Sequence, residues 1–394
     1  MTDRLTVAIV GAGIGGLTAA LAFARNGAEV FVLERAAALK EVGAGIQITP
    51  NAARALNALG LADALSEVGF AADAVVPTDA ITGRTVARFD LRGQSPRFRF
   101  YHRAHLVREL GAAAHAAGAK IHLGVAVSSV SQDGVLQTTS GSMEADLVVG
   151  ADGIRSTMRF FCNPAAKDAQ FTGQVAWRGI IPASNVPPEA RIWMAPGRHL
   201  VTYPLADNML NLVAVQERDA WADEGWDHAD DPANLQAAFA DCAPNLQHLL
   251  ANLESPRLWG LFRHDVASVW SRGKVVLLGD AAHPTLPFLA QGANLAIEDA
   301  YVLARCLTEH KSVQSACRRY QQLRRDRVVR AIAAANANAQ NYHLSGLKRR
   351  VAFAGLRTLG AVAPNAFLSR LSWLYDHDVT DCLDSKINPN RHVV

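Results

Sequence analysis

A glycine-rich turn between a buried strand and a helix is the feature that most constrains how this chain folds. An apolar run at 5–10 leads directly into GAGIGG at 11–16, and an Ala/Leu-rich segment with helical spacing extends from 17 to 27. A second apolar run at 29–33 ends at Glu34, about twenty residues beyond the glycines. This order of strand, tight turn, helix and strand predicts a βαβ unit of a parallel sheet.

The glycines of this turn each have a physical purpose. Gly11 permits the sharp turn, Gly13 lets the backbone approach a pyrophosphate without an intervening Cβ, and Gly16 lets the helix lie close to the sheet. Gly15 lies in the same turn. The unpaired N–H groups and the positive dipole end of the helix then face the phosphates. We therefore expect this turn to bind a dinucleotide.

The acidic residue after the second strand narrows the choice of dinucleotide ligand. Glu34 is placed to accept a hydrogen bond from a ribose hydroxyl. An acidic rather than a basic residue favours an unphosphorylated ribose, so FAD or NAD is expected as the resident ligand rather than NADP. Arg35 either contacts the adenosine and its phosphates or is a solvated loop arginine.

Two more strand-to-turn segments can serve the same ligand. The apolar run 146–150 leads to Asp152, and the run 274–278 leads to the loop 279–284. Because parallel strands end at one edge of their sheet, the turns at 11–16, 150–155 and 279–284 are available to one long ligand. Gly45 and Ile46, in a Gly-rich approach to a strand, allow a further close approach. Arg103, at the entrance of a predicted helix, either pairs with the pyrophosphate or is a surface arginine.

The β-rich segments 74–100 and 171–264 alternate with these nucleotide-binding elements. Their period-2 patterns predict an inserted sheet, and pockets favour such domain interfaces. His199 and Tyr203 are four apart on one predicted strand, so both side chains point to the same face. This sheet is expected to carry the substrate.

Composition excludes several classes of protein. The chain has 394 residues, 19% of them charged, and a net charge of +3, which is too small at this size to indicate nucleic-acid binding. Five scattered cysteines, without a CxxC or Cys/His cluster, argue against a disulfide framework or a metal site and favour a reducing cytoplasm. No signal-peptide pattern and no membrane-spanning apolar run is present, so no membrane contact is expected.

An arginine run lies in the helical pattern predicted for 312–341. Few acidic or aromatic residues interrupt it, which favours a solvated basic face, or a contact between the subunits of a homodimer, over an acidic partner. The run comprises Arg318, Arg319, Arg324, Arg325, Arg327 and Arg330.

The motifs together resemble the class A FAD-dependent aromatic monooxygenases, nearest to the salicylate and hydroxybenzoate hydroxylases. The resemblance rests on GAGIGGL at 11–17, GADGIRS at 150–156 and GDAAHPTLPFLAQGANLAIEDA at 279–300. The third motif is the most specific. The implied fold class is α/β, a Rossmann-like FAD-binding domain (1–73, 101–170 and 265–311) with an inserted β-sheet substrate domain (74–100 and 171–264) and C-terminal helices and tail (312–394).

The resemblance assigns functions to the third motif. Asp280 accepts hydrogen bonds from the ribityl hydroxyls of FAD, and Pro287 lines the oxygen-reaction side of the flavin. The backbone N–H groups of Gly292, Ala293 and Asn294 face the flavin N1 and C2 carbonyl, where a helix N-terminus stabilises an anionic reduced flavin. No second dinucleotide motif is found, so NADH or NADPH is expected to visit transiently.

The implied reaction is hydroxylation of a small aromatic, phenolic-acid-like substrate. NAD(P)H reduces FAD, O2 gives a flavin hydroperoxide, and its distal oxygen is transferred to the ring. We predict His199 as the base that removes the phenolic proton, with Tyr203 as its neighbour, because related hydroxybenzoate hydroxylases carry both in a similar strand. A structural histidine is the alternative. Gln291 is predicted to hydrogen-bond the substrate hydroxyl or the peroxide, whereas His283 is predicted to be structural.

Other functions stay open on the sequence. Within the same enzyme class, the substrate could be a heterocycle or a polyketide. A second alternative is an FAD oxidase or dehydrogenase, which transfers no oxygen to its substrate. A third is a flavin-binding interaction module without catalytic activity. A carboxylate-binding arginine favours a benzoate, and Arg178 and Arg84 are candidates because they lie in the β-rich insert.

Overall fold

The computed structural model describes residues 4–39, 44–219 and 228–381. The first part of the chain alternates strands and helices as the sequence predicts. Its elements are β1 (Thr6–Val10), α1 (Ile14–Arg25), β2 (Glu29–Glu34), β3 (Gly45–Ile48), α2 (Pro50–Ala58), α3 (Ala62–Val68), β4 (Phe70–Ala71), β5 (Ala74–Asp79), β6 (Phe89–Asp90), β7 (Arg99–His102), α4 (Arg103–Ala116), β8 (Lys120–Leu123), β9 (Val127–Val130), β10 (Val135–Thr138), β11 (Gly141–Glu144), β12 (Leu147–Gly150) and α5 (Thr157–Cys162).

The middle of the chain is dominated by long strands, and the last part is helical. The middle elements are β13 (Gln170–Pro182), β14 (Glu189–Ala195), β15 (Arg198–Leu205), β16 (Met209–Glu217), β17 (His228–Ala229), α6 (Pro232–Ala238), α7 (Pro244–Ala251) and β18 (Arg257–Arg263). They are followed by β19 (Ser271–Arg272), β20 (Val275–Leu277), a 3₁₀ turn (Gly279–Ala281), α8 (Gln291–Glu309), α9 (Val313–Tyr342), α10 (Gly346–Val362), α11 (Pro364–Ser369) and α12 (Ser372–Tyr375).

A six-stranded sheet in the order β19-β20-β12-β1-β2-β8 forms the first layer, and it is parallel except for β19. Strand β1 lies inside it and is covered by helices, so Val7, Ala8 and Ile9 have no exposed surface. Burial on both faces explains why β1 is a continuous apolar run instead of an alternating one. Two small antiparallel sheets, β11-β10-β9 and β3-β7-β4, flank it.

An eight-stranded sheet in the order β17-β18-β13-β16-β15-β14-β5-β6 forms the second layer. Strand β5 joins β14 in parallel, so residues near 74–90 and those of 170–263 belong to one sheet, as the sequence predicts. One face packs under α6 and α7 through Trp177, Leu212 and Phe239. The alternate residues of the same strands face away from these helices. The domain boundaries themselves stay a prediction, and residues 382–394 of the predicted tail, with Cys382, lie outside the described residues.

The C-terminal region is helical, as the sequence predicts. Beyond α9 it consists of α10, α11 and α12, and Pro364 begins the second of these three helices. The interpretation of the arginine run as a solvated or intersubunit face is wrong for two of its members. Arg324 is 1% exposed, and its guanidinium lies 2.6 Å from Glu298 Oε2 and 2.7 Å from Asp299 Oδ1. Arg327 also pairs with Glu298, at 2.8 Å.

No helix in the described part of the chain has the combination of length and apolar character needed to cross a bilayer. The four cysteines that the structure describes are buried free thiols.

Candidate active site

Three neighbouring cavities lie in the protein, and two of them lie at the carboxyl ends of the parallel strands. The nucleotide cavity, about 400 Å³, is lined by residues that include Gly11, Glu34, Arg35, Asp152 and Arg155. The central cavity, about 360 Å³, lies between the two sheets, and the apolar cavity, about 310 Å³, lies under the C-terminal helices. The nucleotide and central cavities share Gly13, Ala151 and Gly153 in their walls. The two cavities therefore adjoin each other at the glycine turn and form one groove.

The glycine turn is shaped by close contacts within the protein. Gly11 has a φ of +104°, and a Cβ there would lie 2.5 Å from the Ala151 carbonyl oxygen. A Cβ on Gly16 would lie 2.0 Å from the Gly11 carbonyl oxygen, and one on Gly15 would lie 2.8 Å from Leu278 Cδ2. These three glycines let the turn, α1 and the neighbouring strand ends approach each other closely.

Gly13 differs from the other three glycines. A Cβ on Gly13 would meet no atom of the described residues within 4 Å, and Gly13 lines both the nucleotide and the central cavity. Its missing side chain therefore leaves space in the groove, at the N-terminus of α1, where a pyrophosphate fits.

Replacing Gly13 by Val is expected to weaken FAD binding by about 10- to 100-fold, because the side chain fills that space and removes charge-assisted hydrogen bonds worth about 1.5–3 kcal/mol. Fluorescence titration of the FAD-free protein with FAD measures the change. Gly93→Val is the matched control, since Gly93 is exposed in a turn and its ideal Cβ has no neighbour within 4 Å in the described part of the chain. Equal FAD affinity of the two variants would contradict the placement.

The acidic residues of the groove suit ribose and ribityl hydroxyls. Glu34 Oε2 accepts a hydrogen bond from Ala12 N at 2.8 Å and Oε1 from Ala36 N at 2.9 Å, which fixes its carboxylate in the nucleotide cavity wall. Asp280 lines the central cavity and has no hydrogen-bond partner among the described residues. Asp280 is open to the cavity, but desolvation by the surrounding protein raises its pKa, so hydroxyl donors from a ligand would stabilise its ionised form. The residues present thus fit FAD.

The loop before α8 forms the wall between the central and apolar cavities. Pro287 and Ala290 line both cavities, and Gly292 and Ala293 line the central one. Ala290 adopts a left-handed conformation with a φ of 55°, which is uncommon for a residue with a Cβ. The backbone N–H groups of the first turn of α8 therefore lie at the wall of the central cavity.

Two predicted residues in the first turn of α8 turn their side chains into the protein. The Gln291 amide contacts Thr49, Asn51 and the Leu289 carbonyl, and Gln291 lies outside the walls of all three cavities. In this conformation the Gln291 side chain does not make the predicted contact with substrate. It has a structural role instead, because the buried polar groups at the start of α2 need hydrogen-bond partners. Asn294 Oδ1 accepts a hydrogen bond from Thr49 N, whereas the prediction for Asn294 concerns its backbone N–H and stays a prediction.

His283 is structural, as expected. Its Nε2 lies 2.5 Å from Asp299 Oδ2, and the same oxygen accepts a hydrogen bond from Gly279 N at 3.2 Å. Although burial opposes ionisation, His283 and Arg324 lower the pKa of Asp299. This buried carboxylate therefore holds the start of the loop that carries Asp280.

The face of the large sheet that points away from α6 and α7 lines the central cavity. His199, Val201 and Tyr203 alternate along β15 and all lie in the cavity wall. The neighbouring strands add Val213, Val215 and Arg178. Register places Arg178 opposite Val213, and Val213 opposite Val201, so the three form one row across the sheet.

The polar groups on this face have distinct environments. His199 is 2% exposed, its Nδ1 lies 2.7 Å from His343 Nε2, and burial together with His343 holds its pKa well below the usual range. Burial raises the pKa of Tyr203, whose ring stacks on Phe100 with centroids 4.9 Å apart. Burial, with Arg103 nearby, lowers the pKa of Arg178 to about 10, and Arg178 has no hydrogen-bond partner among the described residues.

The remaining residues predicted to bind the cofactor fall in the same walls. Gly45, Ile46 and Arg103 line the central cavity. A Cβ on Gly45 would lie 2.6 Å from Tyr203 Cε2, so this glycine also serves the packing of β3 on the large sheet. Arg84 is exposed and lines none of the cavities.

Comparison with known proteins agrees with this geometry. Residues 4–335 match the family model described as FAD binding domain. The chain is 37% identical to the 3-amino-4-hydroxybenzoate 2-monooxygenase of Streptomyces cremeus over 87% of this chain and 89% of that protein. It is 32% identical to the 3-hydroxybenzoate 6-hydroxylase of Polaromonas naphthalenivorans over 96% of this chain and 98% of that protein. The chain therefore belongs to the FAD-dependent monooxygenases of the class A flavoprotein family, and its predicted fold class and FAD cofactor are confirmed.

Solved structures show the same fold. A salicylate hydroxylase in a substrate complex superposes with a TM-score of 0.82 at 24% identity, covering 97% of each chain. HpxO of Klebsiella pneumoniae, complexed with FAD and uric acid, superposes with a TM-score of 0.81 at 25% identity, covering 95% of this chain and 98% of that one.

Proposed function

We propose that the chain hydroxylates a phenol that carries a carboxylate, with NADH or NADPH as electron donor and O2 as oxygen source. The observation that carries this proposal is the sheet face in the central cavity, which presents Arg178 without a hydrogen-bond partner among the described residues, together with His199 and Tyr203. The relatives named above act on hydroxybenzoates, which supports this substrate class. Bound FAD supplies hydride acceptance and activation of O2.

The spacing on the sheet suits one aromatic ring. Arg178 and Val201 are two strands apart, which is about 10 Å, and His199 lies two residues along the same strand as Val201. A ring between them can place its carboxylate at the Arg178 guanidinium and its hydroxyl at His199. Removal of the phenolic proton by His199 raises the electron density on the ring carbons that accept oxygen.

The other residues position the ring and exclude water. Burial keeps Tyr203 protonated, so its hydroxyl is a hydrogen-bond donor. Pro287, with Val213 and Val215, gives the cavity apolar walls. A dry site strengthens the ion pair between the carboxylate and the guanidinium.

One observation favours a second substrate class. The apolar cavity opens beside Val201 and Pro287, and no charged side chain is among its wall residues in the described part of the chain. A phenol with an apolar substituent would extend into this space. Such a substrate would gain from burial of its substituent instead of from Arg178.

Replacing Arg178 by Met distinguishes phenols that carry a carboxylate from phenols that carry an apolar substituent. We expect the KM for 3-hydroxybenzoate or 3-amino-4-hydroxybenzoate to rise about 10- to 100-fold, because a charged hydrogen bond worth about 1.5–3 kcal/mol is lost. Steady-state NAD(P)H oxidation with product identification measures this, and Arg84→Met, at the exposed arginine, is the control. An unchanged KM for both acids, with alkylphenols hydroxylated faster, would favour the apolar class.

A further inference from the structure

His199 is the first member of a hydrogen-bonded chain that leads out of the central cavity. Its Nδ1 lies 2.7 Å from His343 Nε2, and His343 Nδ1 lies 2.7 Å from Glu217 Oε1. The His343 side chain is 3% exposed, whereas that of Glu217 is 55% exposed. The chain therefore connects a buried ring in the cavity wall with a carboxylate in contact with solvent.

The carboxylate fixes the direction of these hydrogen bonds. An ionised Glu217 only accepts, so the neutral His343 ring carries its proton on Nδ1 and leaves Nε2 as an acceptor. His199 must then donate from Nδ1, and its own Nε2 is left unprotonated. His199 Nε2 has no hydrogen-bond partner among the described residues, and the ring lines the central cavity.

We propose that His199, His343 and Glu217 form a proton relay that carries the phenolic proton from the central cavity to the surface. The substrate oxygen gives its proton to His199 Nε2, and His199 passes its Nδ1 proton to His343 Nε2. His343 then passes its Nδ1 proton to Glu217, which releases it to water. One proton enters and one leaves, and both rings end neutral in the opposite tautomer. The proposal rests on the proposed function for the identity of the proton donor, a phenol.

The surroundings explain why a relay is needed. Burial and His343 lower the pKa of His199, and burial lowers the pKa of His343 even though Glu217 opposes this shift. A persistent imidazolium is therefore costly at either ring. His343 directly follows the last residue of α9, and the negative end of that helix dipole stabilises a transient positive charge there.

The other ionisable groups near the relay do not replace its members. Tyr342 contacts the His199 ring at 5.1 Å between centroids, and burial raises its pKa, so it stays protonated. Arg198, next to His199 in the chain, pairs with Asp241. Arg218, next to Glu217, binds Gln216 and lies over the Trp177 ring.

The direction of the relay is testable without any substrate. Nitrogen-15 NMR of the FAD-bound protein labelled at histidine should show His199 and His343 as neutral rings protonated on Nδ1, assigned with His199→Gln and His343→Gln. Glu217→Ala removes the acceptor and should populate the other tautomer at both rings. A wild-type His199 protonated on Nε2, or rings unaffected by Glu217→Ala, would overturn the relay.

The transfer step is testable with 4-hydroxy-3-nitrobenzoate, whose phenolate absorbs visible light. Glu217→Gln keeps a hydrogen-bond acceptor but cannot take a proton. We expect it to slow phenolate formation about 10- to 100-fold in stopped-flow mixing and to raise the apparent pKa of the bound phenol, while FAD stays bound. His343→Gln should do the same, and imidazole should partly rescue His343→Ala.

Glu254→Gln is the matched control, because Glu254 is an exposed carboxylate that follows α7, on the opposite side of the sheet from the relay. Ionisation of the probe in Glu217→Gln that equals that in Glu254→Gln would overturn the proposal. Failure of the wild-type protein to bind the probe would instead count against the carboxylated phenol as substrate, and the NMR result would still decide the relay.

Discussion

Replacing His199 by Gln is expected to lower the rate of aromatic hydroxylation by about 10²–10⁴-fold, which is the usual contribution of a general base. Gln has a similar size but cannot take the phenolic proton. FAD should stay bound, because His199 lies on the large sheet and not on the turns that hold the dinucleotide. Single-turnover mixing of the reduced enzyme with O2 and substrate, followed by product quantification, measures the rate.

His248→Gln provides the comparison, since His248 is an exposed histidine on α7, on the opposite side of the sheet. A His199→Gln enzyme that forms product within twofold of this control would remove the assignment of His199 as base. Loss of FAD from His199→Gln alone would show that the residue acts on cofactor binding instead.

Replacing Arg324 by Met is expected to lower the free energy of unfolding by about 3–5 kcal/mol, because two buried carboxylates lose a shared counter-ion. Burial disfavours the ionised form of Glu298, but Arg324 and Arg327 hold its pKa at about 2, so this carboxylate is charged at neutral pH. Asp299 also holds His283 and the Gly279 N–H. The variant should therefore release FAD more readily as well, through the loop that carries Asp280.

Arg325→Met is the control for Arg324→Met, since the neighbouring side chain is exposed and its removal should change stability by no more than about 0.5 kcal/mol. Urea unfolding of the FAD-bound proteins, followed by circular dichroism and flavin fluorescence, compares them. Equal midpoints would show that the buried ion network does not stabilise the fold.

Local patterns predict the nucleotide-binding half of the site well. The turn at 11–16 follows from strand, glycine and helix signals within thirty residues, and period-2 alternation places His199 and Tyr203 on one face. Each of these patterns reflects the backbone geometry of a short segment, so it can be recognised in that segment alone. The structure places these residues in the walls of adjoining cavities.

Contacts between distant segments could not be predicted in the same way. His343 is 144 residues from His199, and Glu217 is 126 residues from His343, so no spacing rule connects them. The position of Arg178 opposite Val213 depends on strand register. Helical spacing places Arg324, but not Arg325, on the buried stripe of α9 with Tyr320 and Val328. It does not show that two carboxylates of α8 pair with the Arg324 guanidinium, because that contact joins separate helices.

Isotope labelling tests the central claim most directly. The FAD-bound enzyme, supplied with NADH or NADPH, 3-hydroxybenzoate or 3-amino-4-hydroxybenzoate, and ¹⁸O2, is predicted to give a hydroxylated ring that carries one ¹⁸O atom. Mass spectrometry of the product measures this incorporation. NAD(P)H oxidation that yields only hydrogen peroxide, or an oxidised product without the label, would contradict the account.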